Sequence, residues 1–255
     1  MTQYTDHHAP EGLRTRGTVV VVPGRGETPA TYARFAGRLA TDAYRVRVTG
    51  TPAVDAGDPT GPGAAFGRLL TDAVEGTAAE DGVVRPLVLV GADSGAVAIA
   101  AFLGRAERAD APRPDAVVLA GLPGRAAGAP GTWEDELDVR TSCPAHRVTL
   151  TRDPQVRRGS LGDALPEALL TAAYENEAGV PALLLVGDAD PLADRDALER
   201  AAKSLPLARL AVVRGAHHDV LNDLQHRSVA AEVVVFLEAL RDDLTPVVTV
   251  RSSAW

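Results

Sequence analysis

The chain has 255 residues, enough to bury one sizeable core, and one α/β domain is the natural count. Its net charge of -8 argues against a nucleic-acid partner or an anionic membrane surface, since either needs a basic patch. A lone cysteine, Cys143, leaves no intrachain disulfide and no cysteine-rich metal site. Residues 1–16 lack a basic start followed by an apolar stretch, so no signal peptide is read there. No apolar run approaches the roughly 18 residues of a membrane span, and a soluble, cytoplasmic protein is expected. Lys203 is the only lysine among many arginines, a bias that fits a high-GC genome.

In chain order, residues 18–22 form a continuous β-branched run, the pattern of a buried parallel strand. Residues 31–39 read as a helix, with Tyr32, Phe35, Ala36 and Leu39 on one face. A strand follows at 44–48, a helix at 64–74, a strand at 87–90 and an alanine-rich helix at 95–103. Then come strands at 116–120 and 181–186, a helix at 192–204, a strand at 210–213 and a closing helix at 228–240. This alternation predicts an α/β fold, a mostly parallel sheet with helices on both faces and sites at the carboxyl ends of its strands. The expected core is 17–122 with 181–242, flanked by tails at 1–16 and 243–255. The first tail is too short for a pair of leading strands. In the second, residues 246–250 read as an edge strand or as unstructured. The insert, 123–180, is too long for a bare loop and reads as a small cap, helical around 164–174.

Four apolar residues, Leu87 to Val90, run into Gly91-Ala92-Asp93-Ser94-Gly95. A strand entering a helix through glycines at this spacing makes a nucleophile elbow, and its third position is thrust above the sheet. Serine is usual there; this chain has Asp93. A plain tight turn with Asp93 capping the helix is the alternative. His218 follows the last strand in Gly215-Ala216-His217-His218-Asp219, placed to reach the elbow, with His217 as its rival. Asp190, in Gly187-Asp188-Ala189-Asp190-Pro191, lies past a strand end, where an acid orients an imidazole; Asp188 is the rival. After the first strand comes Pro23-Gly24-Arg25-Gly26. Gly24 lets the backbone approach a ligand, and the amides of Arg25 and Ser94 are candidate oxyanion donors. The Arg25 side chain has two equal readings: a partner for an anionic substrate, or a surface pair with Glu27. A dinucleotide reading of this loop lacks its third glycine and its acidic residue, and no cofactor is expected. Trp133, Cys143 and His217 are possible pocket residues, with packing as the default for the first two. No metal set is read: His7 and His8 lie in a polar terminus, and His146 and His226 have no partners at ligand spacing.

Together these three signals resemble the α/β-hydrolase superfamily over residues 18–240, in that fold's order of nucleophile, acid and histidine. An elbow aspartate is similar to that of haloalkane dehalogenases and epoxide hydrolases, whose carboxylate attacks carbon. Those families carry tryptophan after the aspartate, a His-Gly-x-Pro loop and a large cap with tyrosines. Here the corresponding features are Ser94, Pro23-Gly24-Arg25-Gly26 and Tyr174, the single tyrosine of the insert. Use of the fold for proton removal resembles hydroxynitrile lyases, cofactor-free dioxygenases and the eliminases of actinomycete polyketide pathways, which expel acetate from an acetylated tetronate ring.

An aspartate attacking an ester forms a high-energy anhydride, whereas a carboxylate beside a histidine suits proton removal. The leading expectation is therefore a lyase acting on an acyl-bearing small molecule, with His218, Asp93 and Asp190 as its base system. A hydrolase using Asp93 as nucleophile or base on an ester, epoxide or carbon–halogen bond is the second reading. A non-catalytic binding protein is the third.

Overall fold

The computed structural model describes residues 4–52, 61–79, 82–104, 112–125, 131–177, 179–249 and 251, with backbone alone at 61–63. Seven strands form one sheet: β1 (Thr5–His7), β2 (Gly17–Val22), β3 (Tyr44–Val48), β4 (Leu87–Ala92), β5 (Ala116–Ala120), β6 (Ala182–Gly187) and β7 (Ala208–Val213). Their order is β1-β3-β2-β4-β5-β6-β7. Only β1 runs antiparallel, with Thr5 opposite Val48. The N-terminal stretch, too short for two leading strands, thus supplies one.

The valine run of β2 shows why these segments are strands. Every residue of β2 is buried, and alternate side chains go to opposite faces. Val19 and Val21 join one core with Phe35 and Leu39 of α1 (Ala33–Thr41) and Val233 and Phe236 of α8 (His226–Leu240). Val20 and Val22 join the other with Leu70 of α2 (Gly61–Glu75), Ile99 of α3 (Ser94–Leu103), Leu170 of α6 (Glu167–Tyr174) and Leu198 of α7 (Arg195–Ser204). A β-branched run covered on both faces is the parallel-sheet solution. The chain steps from β2 to β3 on one side and returns to β4 on the other. The connections therefore diverge at the carboxyl ends of β2 and β4, the switch point at which ligands of such sheets bind.

Several expectations are corrected. The helix expected at 31–39 begins as a 3-10 turn, Pro29–Tyr32, before α1. The segment between β5 and β6 holds α4 (Trp133–Arg140) and α5 (Pro144–Arg152) ahead of α6, and neither was read from the sequence. Their buried side includes Glu136, Arg140 and His146, so no apolar stripe marks it. Of the two readings of 246–250, the one without a strand holds at 246–249; Val247 and Val248 are largely exposed, and Val250 lies outside the described residues. Among the described residues, no helix is long and apolar enough to cross a membrane.

Candidate active site

The turn from β4 to α3 is tight because two glycines allow it. A Cβ on Gly91 meets Ala96 N at 2.6 Å, and one on Gly95 meets Val22 O at 2.3 Å. Asp93, between them, has φ 46° and ψ -118°. A non-glycine residue there costs on the order of 1–3 kcal/mol and persists only where its surroundings enforce it. The side chain makes no cap bond to α3, so the capping alternative does not describe it.

The Asp93 carboxylate is instead held from two sides. Arg25 grips it three times: its N–H and Nε donate to Oδ2, each at 2.8 Å, and Nη2 donates to Oδ1 at 2.7 Å. His218 Nε2 lies 3.1 Å from Oδ1, and His218 Nδ1 lies 3.0 Å from Asp190 Oδ2. The other Asp190 oxygen accepts Leu192 N–H at 2.8 Å, which locks the carboxylate in the turn after β6. Asp93, His218 and Asp190 thus form one chain, with Arg25 at its end. All four are buried.

Burial opposes charge on Asp93, but Arg25 and His218 outweigh it and hold the carboxyl well below the usual range. Burial likewise opposes charge on His218, and here Asp190 and then Asp93 reverse it, raising the imidazole to about 10. Both shifts favour the charged form, carboxylate on Asp93 and imidazolium on His218. A bidentate arginine grip with an added amide is a strong way to hold a carboxylate. It also leaves Asp93 a poor nucleophile.

This corrects the expected use of the loop. The Arg25 N–H, read as an oxyanion donor, is taken by Asp93 itself. The Arg25 side chain pairs with neither Glu27 nor the surface. Its Nη1 donates to Leu161 O at 2.9 Å and Asp163 O at 2.7 Å, so the segment between β5 and β6 is tied to the loop after β2. Gly24 N–H goes to Glu27 Oε2 at 2.9 Å. Ser94 Oγ is buried with no hydrogen-bond partner among the described residues.

The rival residues turn elsewhere. Asp188 accepts the N–H of Gly215, and His217 Nδ1 pairs with Asp223 at 3.0 Å. Trp133 packs against Leu137, Leu150 and Val156, with Arg158 over its ring. Cys143 is buried at the start of α5, with Arg34 Nη1 at 3.6 Å from its sulfur. None of these three expected pocket residues bonds to Asp93 or His218. A surface cavity of about 520 Å³ is lined by Arg125, Tyr174, Asp194 and Arg200 among others, and not by the elbow residues.

A second buried network, missed in the sequence, lies alongside. Glu27 binds Tyr32 as well as Gly24. Its other oxygen is buried without a partner among the described residues, and burial together with the charge of Asp219 pushes its carboxyl up to about 7. His146 Nε2 lies 2.8 Å from Asp219 Oδ2. Ligand-type atoms of Glu27, His146 and Asp219 fall within 4.8 Å of one another, so His146, solitary in the chain, has partners in space. Arg140 adds a positive charge at this cluster, with Nη1 3.4 Å from Asp219 Oδ1. These groups stand far apart in sequence. The one local signal was Glu136 and Arg140 at i, i+4 spacing.

A family model described as "Serine aminopeptidase, S33" matches residues 66–225. No curated protein matches the chain. Among solved structures, a soluble variant of monoglyceride lipase from Saccharomyces cerevisiae is similar with a TM-score of 0.72 at 15% identity, covering 94% of this chain and 92% of its own. Monoacylglycerol lipase of Paleococcus ferrophilus gives 0.70 at 18% identity, covering 94% and 99%. The enol-lactonase of Burkholderia xenovorans gives 0.67 at 18% identity, covering 93% and 96%.

Proposed function

The chain belongs to the serine aminopeptidase S33 family of α/β-hydrolase-fold enzymes, and from that premise we propose that it moves a proton on an acyl-bearing small molecule without forming an acyl-enzyme. One observation carries this reading: the elbow residue is a carboxylate that is hydrogen-bonded to His218 and gripped by Arg25. An acyl-enzyme route needs a free nucleophile and a free oxyanion donor. Here the nucleophile position is an ion-paired aspartate, and that aspartate occupies the Arg25 N–H.

The reaction we propose is elimination of an acetate-type leaving group. His218 is the base. Nε2 is the nitrogen turned toward the elbow, while Asp190 holds Nδ1 and fixes the ring. Opening the Asp93 bond as substrate enters removes one of the two carboxylates that keep the imidazole charged. The ring then loses its Nε2 proton to solvent, and the neutral Nε2 takes a proton α to a carbonyl. The electron pair forms the new double bond as the alkyl carbon–oxygen bond breaks, and acetate departs with both its oxygens. Arg25 keeps Asp93 ionised throughout. In this reading 17–122 and 181–242 are the catalytic core and 123–180 is its cap. The arginine-rich composition and the resemblance to tetronate eliminases are the grounds for placing the enzyme in the cytoplasm of an actinobacterium, in polyketide-type metabolism.

The family match favours a second reading, in which the same pair activates water against an ester. Acetate release from an acetylated tetronate, followed against pH, tests the shared premise. The rate is expected to rise with pH through the titration of His218, and His218→Gln is expected to abolish it. Full activity in His218→Gln sinks both readings.

A further inference from the structure

Helix α4 does more than lie over the sheet, because its last turn touches both halves of the site. On the histidine side, Val139 O accepts His218 N–H at 3.2 Å and Arg140 O accepts Asp219 N–H at 2.8 Å. The Arg140 side chain reaches the other half, where Nη2 donates to Arg25 O at 2.7 Å while Nη1 lies 3.4 Å from Asp219 Oδ1. This guanidinium is only 1% exposed and is balanced by Glu136, one turn back, at 2.8 and 3.0 Å. Glu136 in turn accepts the N–H groups of Gly159 and Leu161, in the segment whose Leu161 carbonyl holds Arg25. One planar fork thus spans the loop after β2, the loop after β7 and the insert. A lysine, with one compact ammonium, cannot repeat that geometry.

We propose that Arg140 is the positioning residue of this site, setting the distance between the Arg25–Asp93 half and the His218–Asp190 half. This rests on reading Asp93 and His218 as the working pair. The bond that crosses between the halves is Asp93 Oδ1 to His218 Nε2, at 3.1 Å. Arg140 binds the carbonyl of the residue that grips Asp93, and it binds the carboxylate next in the chain to His218. Its loss lets the two loops part.

Electrostatics makes the test sharp. His218 faces Asp93 and Asp190 on its two nitrogens, with Asp219 next in the chain, Arg140 on Asp219 and Arg25 behind Asp93. Removing a cation from this set, with nothing moved, strengthens the imidazole's hold on its proton. Lengthening the Asp93 bond weakens it. The direction of the change therefore separates positioning from mere charge.

The experiment is an NMR titration of the His218 ring in Arg140→Met, with acetate release from an acetylated tetronate measured alongside. The titration midpoint is expected to fall by about one pH unit or more. kcat on the alkaline plateau, where the ring is neutral in both proteins, is expected to fall about tenfold or more, with KM held within about twofold. Arg140→Lys keeps the charge without the fork and is expected to move the midpoint the same way. Leu150→Ala, a cut in the apolar group of the same insert, is expected to lower Tm and leave the midpoint in place. A midpoint in Arg140→Met that rises or stays overturns the proposal. If that variant does not fold, an unmoved midpoint in Arg140→Lys overturns it equally. Absence of acetate release from the unmodified enzyme counts against the proposed reaction and not against the titration result.

Discussion

Asp93→Asn keeps the shape of the elbow side chain and removes its charge. The His218 imidazole stands at about 10, against an ordinary 6.5, because two carboxylates at 3.0 and 3.1 Å outweigh burial. The rise is what remains after burial is subtracted, so removing one of the two charges takes away half of it or more and brings the midpoint to about 8 or below. Arg25, left facing a neutral amide, pushes in the same direction. A fall of about two in pKa is about 3 kcal/mol of differential interaction. At pH 7 the neutral imidazole then grows from about one molecule in a thousand to about one in ten. The assay is a ring titration by NMR between pH 6 and 11, with the His218 signal assigned by its loss in His218→Gln. A midpoint that stays near 10, or rises, refutes the claim that Asp93 holds the proton on His218.

Asp93→Ser is expected to create ester hydrolysis, since it frees the Arg25 N–H and puts a hydroxyl before a histidine already held by Asp190. A burst of 4-nitrophenol from 4-nitrophenyl acetate, with an acetyl adduct at position 93, is the expected result; no adduct counts against the geometry. Asp190→Asn strands a buried imidazolium and is expected to cost about 3 kcal/mol in urea unfolding, and a loss under about 1 kcal/mol is inconsistent with the pair. The sign of the pH dependence follows from the same groups. His218 is raised on folding, so its contribution is full below about 6.5 and is lost as pH climbs through about 10. Asp93 is lowered, so its contribution is present above about 3.8 and is lost as pH falls through its folded value. The urea midpoint is accordingly expected to decline between pH 6.5 and 10, and a flat profile there contradicts the assigned charges.

What was legible in the chain was whatever local pattern dictates. The β2 valines, the glycines around Asp93 and the acid and histidine turns each fix a conformation within a few residues, and the fold follows from them. Elements α4 and α5 escaped because periodicity looks for apolar faces, whereas these helices bury Glu136, Arg140 and His146. The grip of Arg25 on Asp93 escaped for another reason. The partners are 68 residues apart, and a loop arginine has many places to go. Both residues were singled out, yet the amide of Arg25 was assigned to a substrate oxyanion, and the carboxylate at the elbow was not seen as the anion already there.

The central claim is that this site takes a proton from carbon and eliminates acetate, so that no water oxygen enters the product. The most direct measurement is a turnover of an acetylated tetronate in heavy-oxygen water, with mass spectra of the released acetate and of the peptide that carries Asp93. The account predicts unlabelled acetate and an unlabelled peptide. Heavy oxygen in either one contradicts it.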